Sequence, residues 1–147
     1  MKKILVFLSL TISLALIIPS VSYADCRFDW SEGAYCGSGK TTRVIPDKLF
    51  GPFSNACRTH DWCYHAAGEQ IAKEIQEGYL KSGRDIQSRR DKSKRQCDSY
   101  FSQEIFDACS QSLVQDCRSA AKVYIGAVLL LGGKAFDKSI ANAKACR

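Results

Sequence analysis

Apolar residues are distributed along the chain in three ways. The first is a nearly continuous run from Ile4 to Ile18, preceded by Lys2 and Lys3 and stopped by Pro19. Ser22-Tyr23-Ala24 follows, with small residues at the two positions that a signal peptidase reads. A secretory leader over residues 1–24, cleaved after Ala24, is expected. An uncleaved membrane anchor is disfavoured, because crossing a bilayer takes about 20 apolar residues.

The second region, from Asp25 to about Phe53, has no period. Gly33, Gly37, Gly39, Pro46, Gly51 and Pro52 punctuate it, and it reads as loop. The third pattern is helical. Ser54 or Asn55 is placed to cap a helix through Cys57–Ala67, and Gly68 to end it. A shorter helix over Glu69–Leu80 carries Ile71 and Ile75 one turn apart, and Ser82-Gly83 breaks it. Ile86, Ser93, Cys97, Phe101, Ile105 and Ala108 then form one stripe of a long helix, with Arg89, Lys92, Lys94 and Arg95 mostly outside it. A polar turn from Cys109 to Cys117 leads to a last helix beginning near Arg118. It carries Val123, Val128 and Leu131 and reads as a buried core helix. Little in the chain reads as strand. Residues 25–147 are expected to form one mainly α domain.

Charge and cysteine usage narrow the setting. Loss of Lys2 and Lys3 with the leader lowers the formal charge from +6 to +4. A mildly basic exported protein favours anionic surfaces such as acidic lipid headgroups. No nucleic-acid-binding motif accompanies the charge, so nucleic acid is not expected as a partner. All eight cysteines lie after residue 24. With export, an even count reads as four disulfides. The protein is expected to be secreted, either extracellular or held in the cell envelope.

The chemistry concentrates in Cys57-Arg58-Thr59-His60-Asp61-Trp62-Cys63-Tyr64. On a helix Cys57, Asp61 and Tyr64 share a face, and His60 lies one turn from Tyr64. Three readings of this segment compete. The first is a surface His-Asp pair on an ordinary helix. The second is a zinc site of Cys57, His60 and Cys63, which exported and oxidised cysteines argue against. The third is a catalytic site.

Cys57-x-x-His60-Asp61-x-Cys63-Tyr64 resembles the active-site helix of secreted phospholipases A2. Tyr35-Cys36-Gly37-Ser38-Gly39 is similar to that family's calcium-binding loop. Cys97-Asp98 resembles the cysteine-aspartate pair of its antiparallel partner helix. Phe28-Asp29-Trp30-Ser31, Pro46-Asp47, Phe50-Gly51, Asn55-Ala56-Cys57 and Ala121-x-x-Tyr124-x-x-Ala127-Val128 look like the bacterial and fungal branch. The resemblance implies a disulfide-stapled fold with two long antiparallel helices, a calcium loop and a C-terminal helix.

The resemblance also assigns roles. His60 and Asp98 become the catalytic pair, with Tyr64 supporting Asp98. Calcium would be held by the carbonyls of Tyr35, Gly37 and Gly39 and by the carboxylate of Asp61; a hard cation takes several oxygens. Disulfides Cys36–Cys57 and Cys63–Cys97 are implied. Of the remaining cysteines, Cys109 and Cys117 can close a short turn, which leaves Cys26 and Cys146 to join the two ends. The implied reaction is hydrolysis of the sn-2 ester of glycerophospholipids at a membrane or micelle surface by a monomer.

The chain departs from the family pattern at Ala34, Lys40 and Ala56. The loop looks like the animal type, whereas the nearest branch uses an acidic side chain, a role Glu32 could fill. Two rivals remain at this level. One is a non-catalytic exported toxin or binding protein built on the same frame. The other is a disulfide-rich structural domain that calcium does not affect.

Overall fold

The computed structural model describes residues 50–113 and 115–146. They form three helices: α1 (Phe50–Gln76), α2 (Gly83–Ser110) and α3 (Cys117–Ala145). There is no strand among the described residues, as the sequence pattern leads one to expect. Nearly all of the loop-rich segment, and residues 1–24, lie outside the described residues.

α1 is longer than the sequence pattern predicts. Its buried positions Phe53, Ala56, Cys57, His60, Tyr64, Gly68, Ile71 and Ala72 form one continuous stripe at helical spacing. That stripe begins before Ser54 and Asn55, so neither caps the helix. It also runs through Gly68, where the sequence reading places a break. Gly68 is there for space. A Cβ atom at that position would lie 2.6 Å from Ser139 Oγ and 2.8 Å from the Ser139 carbonyl carbon. Close approach of α3 outweighs the roughly 1 kcal/mol that glycine costs inside a helix.

The real end of α1 is at Gly78, whose φ is +77°. Tyr79 N–H donates to the Glu74 carbonyl at 2.9 Å and Gly78 N–H to that of Ile75 at 3.2 Å, a Schellman-type closure. α2 opens on Ser82, whose hydroxyl accepts from Asp85 N–H at 3.1 Å and donates to the Asp85 carboxylate at 2.6 Å.

This short connection sets α2 antiparallel to α1. Cys63–Cys97 joins the two helices at mid-length, and the Arg89 guanidinium grips Glu74 at 2.8 and 3.0 Å. α3 runs back alongside α1. Cys109–Cys117 ties its start to the end of α2, and Arg90 spans α2 to α3 on Asp137 at 2.5 and 2.9 Å. These partly exposed pairs fix register more than they add stability. Cys57 and Cys146 are disulfide-bonded too. The pairings expected for them, with Cys36 and Cys26, involve residues outside the described ones.

The apolar interior has two parts. Phe53, Ala56, Cys57, Phe101, Ile105, Cys109, Cys117, Ala121 and Tyr124 fill one. Tyr64, Ile71, Cys97, Phe136 and Ile140 fill the other. α3 is not the buried core helix expected from Val123–Leu131. Val123, Leu129, Leu130 and Leu131 are exposed, and Val128 only packs against the core from the side. α3 seats instead through Ala121, Tyr124, Phe136, Ile140 and Ala143. By length and composition this helix could cross a membrane. The exposed Val123, Leu129, Leu130 and Leu131 contribute to that; its inner face packs on α1 and α2.

Candidate functional site

His60 sits where the two halves of the interior meet. Its ring lies 4.8 Å from Phe101 and 4.1 Å from Tyr64, centroid to centroid. Only 6 % of the residue is exposed. A buried imidazole needs polar partners, and α2 supplies one. His60 Nε2 lies 3.1 Å from Asp98 Oδ1, and the same oxygen accepts the Tyr64 hydroxyl at 2.6 Å. The Cys63–Cys97 disulfide lies one to three residues away on each helix, which fixes the register of this contact.

The geometry sets the histidine tautomer. Asp98 is a carboxylate and only accepts, so Nε2 carries the proton. Nδ1 then holds the lone pair and faces the opposite side, toward Asp61 Oδ1 at 3.8 Å. The Asp61 side chain is 45 % exposed, and among the described residues its one ion-pair partner is His60. The imidazole therefore has a braced nitrogen directed into the protein and a basic one directed toward an accessible carboxylate.

Electrostatics follow from the same contacts. Burial acts to lower the pKa of His60, but hydrogen bonding and charge from Asp61 and Asp98 outweigh it, and the net shift is upward. Burial acts to raise that of Asp98, yet the donors His60, Lys94 and Tyr64 carry it below the usual carboxylate value. Burial and the neighbouring carboxylate push the Tyr64 phenol upward, so it stays a proton donor.

Three of the site residues named from sequence are thus brought into one contact group: His60, Asp98 and Tyr64. Asp61 stands beside them without touching Asp98. Tyr35, Gly37, Gly39 and Glu32 lie outside the described residues. Among the described residues no group of three or more His, Cys, Asp or Glu side chains could hold a metal ion. Asp61 alone offers one carboxylate, which fits calcium chemistry but does not complete a calcium site.

Sequence reasoning missed three contributors. Phe101, read as a stripe residue, forms a wall of the histidine pocket. Gly132 on α3 lets the Tyr64 hydroxyl approach. Lys94, read as lying outside the apolar stripe, puts Nζ 2.5 Å from Asp98 Oδ2 with its side chain 13 % exposed. Its spacing of four residues from Asp98 on a helix was the available signal.

Comparison with family models, with curated proteins and with solved structures returned no significant match.

Proposed function

We propose that this protein is a calcium-dependent phospholipase A2 that hydrolyses the sn-2 ester of glycerophospholipids. The observation that carries the reading is the buried His60–Asp98 pair, with Nε2 braced at 3.1 Å and Nδ1 turned toward Asp61. A solvated His-Asp pair on a surface helix would have neither the burial nor the second helix behind it. Agreement with the sequence motifs makes the reading specific. The resemblance implies calcium beside a histidine base, and Asp61 lies on the Nδ1 side of His60.

In this mechanism Nδ1 of His60 removes a proton from a water molecule as that water attacks the ester carbonyl carbon. Asp98 holds the ring in the productive tautomer and stabilises the imidazolium that forms. The C–O bond to the glycerol oxygen then breaks. The proton passes from Nδ1 to that oxygen, leaving a fatty acid and a lysophospholipid. No side-chain nucleophile is required. Asp61 and the carbonyls of Tyr35, Gly37 and Gly39 would hold calcium, with Glu32 as an alternative ligand. The chemistry such an ion would supply is Lewis-acid polarisation of the ester carbonyl and attraction for the substrate phosphate. Export, a positive charge and the ester chemistry together favour an anionic phospholipid surface as the partner.

The test is positional. Vesicles of a phospholipid with different acyl chains at sn-1 and sn-2 are incubated with the oxidised protein, in calcium and in chelator. The proposal expects release of the sn-2 chain alone, and only with calcium. Release of both chains, or release unaffected by chelation, contradicts it. No release from folded protein favours the non-catalytic binding protein.

A further inference from the structure

We propose that Lys94 is a positioning residue of this site, acting on His60 through Asp98. The inference rests on the reading of His60 as a base. Its observation, though, is independent of that reading: the two oxygens of one buried carboxylate are divided between different partners. Oδ1 takes both His60 Nε2, at 3.1 Å, and the Tyr64 hydroxyl, at 2.6 Å. Oδ2 takes Lys94 Nζ at 2.5 Å.

Two physical arguments give this division a purpose. The first is charge. Asp98 is 3 % exposed, and an uncompensated carboxylate that deep is costly. His60 must be neutral to serve as a base, so it brings no compensating charge in the resting site, and Tyr64 brings none either. Lys94 is the one cationic side chain bonded to Asp98 among the described residues. It lets the carboxylate stay ionised beside a neutral imidazole.

The second argument is orientation. A carboxylate can rotate about its Cβ–Cγ bond and offer either oxygen to a donor. Lys94 sits one turn before Asp98 on α2 and occupies Oδ2 from the helix side. With Oδ2 engaged, Oδ1 alone faces α1, and the Nε2–H tautomer of His60 is the one it selects. Without Lys94 the carboxylate is free to turn out of line with Nε2. That weakens the preference for the Nε2–H tautomer and lets the Nδ1–H tautomer, whose basic nitrogen faces inward, gain population. Among the described residues Lys94 bonds to Asp98 Oδ2, on the far oxygen from the one that meets the imidazole. Its effect therefore falls on turnover rather than on substrate binding.

The experiment pairs nitrogen-15 NMR of His60, at a pH where the ring is neutral, with steady-state kinetics on vesicles. It uses the full mature protein, with Lys94→Met, Lys94→Gln and Lys94→Arg. Circular dichroism and thermal melts confirm folding. Lys94→Met and Lys94→Gln are expected to shift population from the Nε2–H to the Nδ1–H tautomer. They should lower kcat about tenfold, with KM within about twofold. Lys94→Arg is expected to keep the native tautomer and most of kcat. In an Asp98→Asn background, Lys94→Met should add no further loss. A folded Lys94→Met or Lys94→Gln protein with the native tautomer ratio overturns the proposal. If the wild type releases no fatty acid and the tautomer still shifts, the positioning role stands and the enzymatic reading fails.

Discussion

A Cβ atom on Gly132 would lie 2.6 Å from the hydroxyl oxygen of Tyr64, the same oxygen that donates to Asp98 at 2.6 Å. α3 thus reaches the site through a position with no side chain. Gly132 sets how close the third helix can come to the Tyr64–Asp98 hydrogen bond. Anything larger pushes against the phenol, and the phenol is held on its other side by Asp98 and by Phe136, 4.8 Å away centroid to centroid.

Glycine-to-alanine changes on these helices should therefore differ in sign. Gly126 is helical and has open space where a Cβ would be. Gly126→Ala is expected to stabilise by about 0.5–1 kcal/mol. Gly132→Ala and Gly68→Ala are expected to destabilise by about 1–3 kcal/mol through overpacking. Gly68 is the more severe, because it meets backbone atoms of Ser139 and Ile140. Denaturant midpoints measure all three. Equal gains at the three positions would contradict the packing of α3 on α1.

The site should give calcium-free protein a stability maximum in mildly acid solution. Asp98 is held below its ordinary pKa, so its contribution is complete above about pH 3.9 and is lost as pH falls through the folded value. His60 is raised, so its contribution is complete below about pH 6.5 and fades as pH rises through its folded value. Both are present together between those limits. Asp98→Asn should cost about 2–3 kcal/mol inside that window. The cost should shrink toward lower pH. Urea midpoints across the acid range measure this; a cost independent of pH would refute it.

The two disulfides that join described residues should rank by the chain they close. Cys63–Cys97 spans 34 residues and Cys109–Cys117 spans 8. Loop-closure entropy gives about 4 kcal/mol for the first and about 2.5 kcal/mol for the second. Paired alanine replacements followed by chemical denaturation test the order. The Cys63/Cys97 double variant should also lose most activity while Cys109/Cys117 keeps more of it, because only the former bridge flanks His60 and Asp98.

α3 offers a direct test of its orientation. Phe136 is fully buried and Leu130 is 84 % exposed. Phe136→Ala is expected to cost about 3–5 kcal/mol. Leu130→Ser should stay within about 0.5 kcal/mol. Similar costs at both positions would mean that a different face of α3 packs on the bundle.

How much of this was legible beforehand depends on what each residue answers to. The mainly helical class and the long second helix followed from spacing, because helical periodicity is a local fact. The His60–Asp98–Tyr64 group was implied by the family resemblance, since His60 and Asp98 lie 38 residues apart and no one-turn rule pairs them. The end assigned to the first helix at Gly68 was wrong for a reason no local rule contains. A glycine inside a helix and a glycine ending one look alike until the backbone of Ser139 arrives. The face of α3 was misread for the same kind of reason. Val123, Leu129, Leu130 and Leu131 fall in its longest apolar stretch, but the helix turns Ala121, Tyr124, Phe136, Ile140 and Ala143 inward. Lys94 was placed only as lying mostly outside an apolar stripe, although its distance from Asp98 along the helix already allowed a pair.

The central claim is that the buried imidazole of His60 performs the chemistry. Fatty-acid release from anionic phospholipid vesicles in calcium, by wild type beside His60→Gln, tests it most directly. The account predicts calcium-dependent release by wild type and a fall of at least about 1,000-fold in His60→Gln, with calcium binding retained. A folded His60→Gln protein that releases fatty acid at the wild-type rate would contradict it.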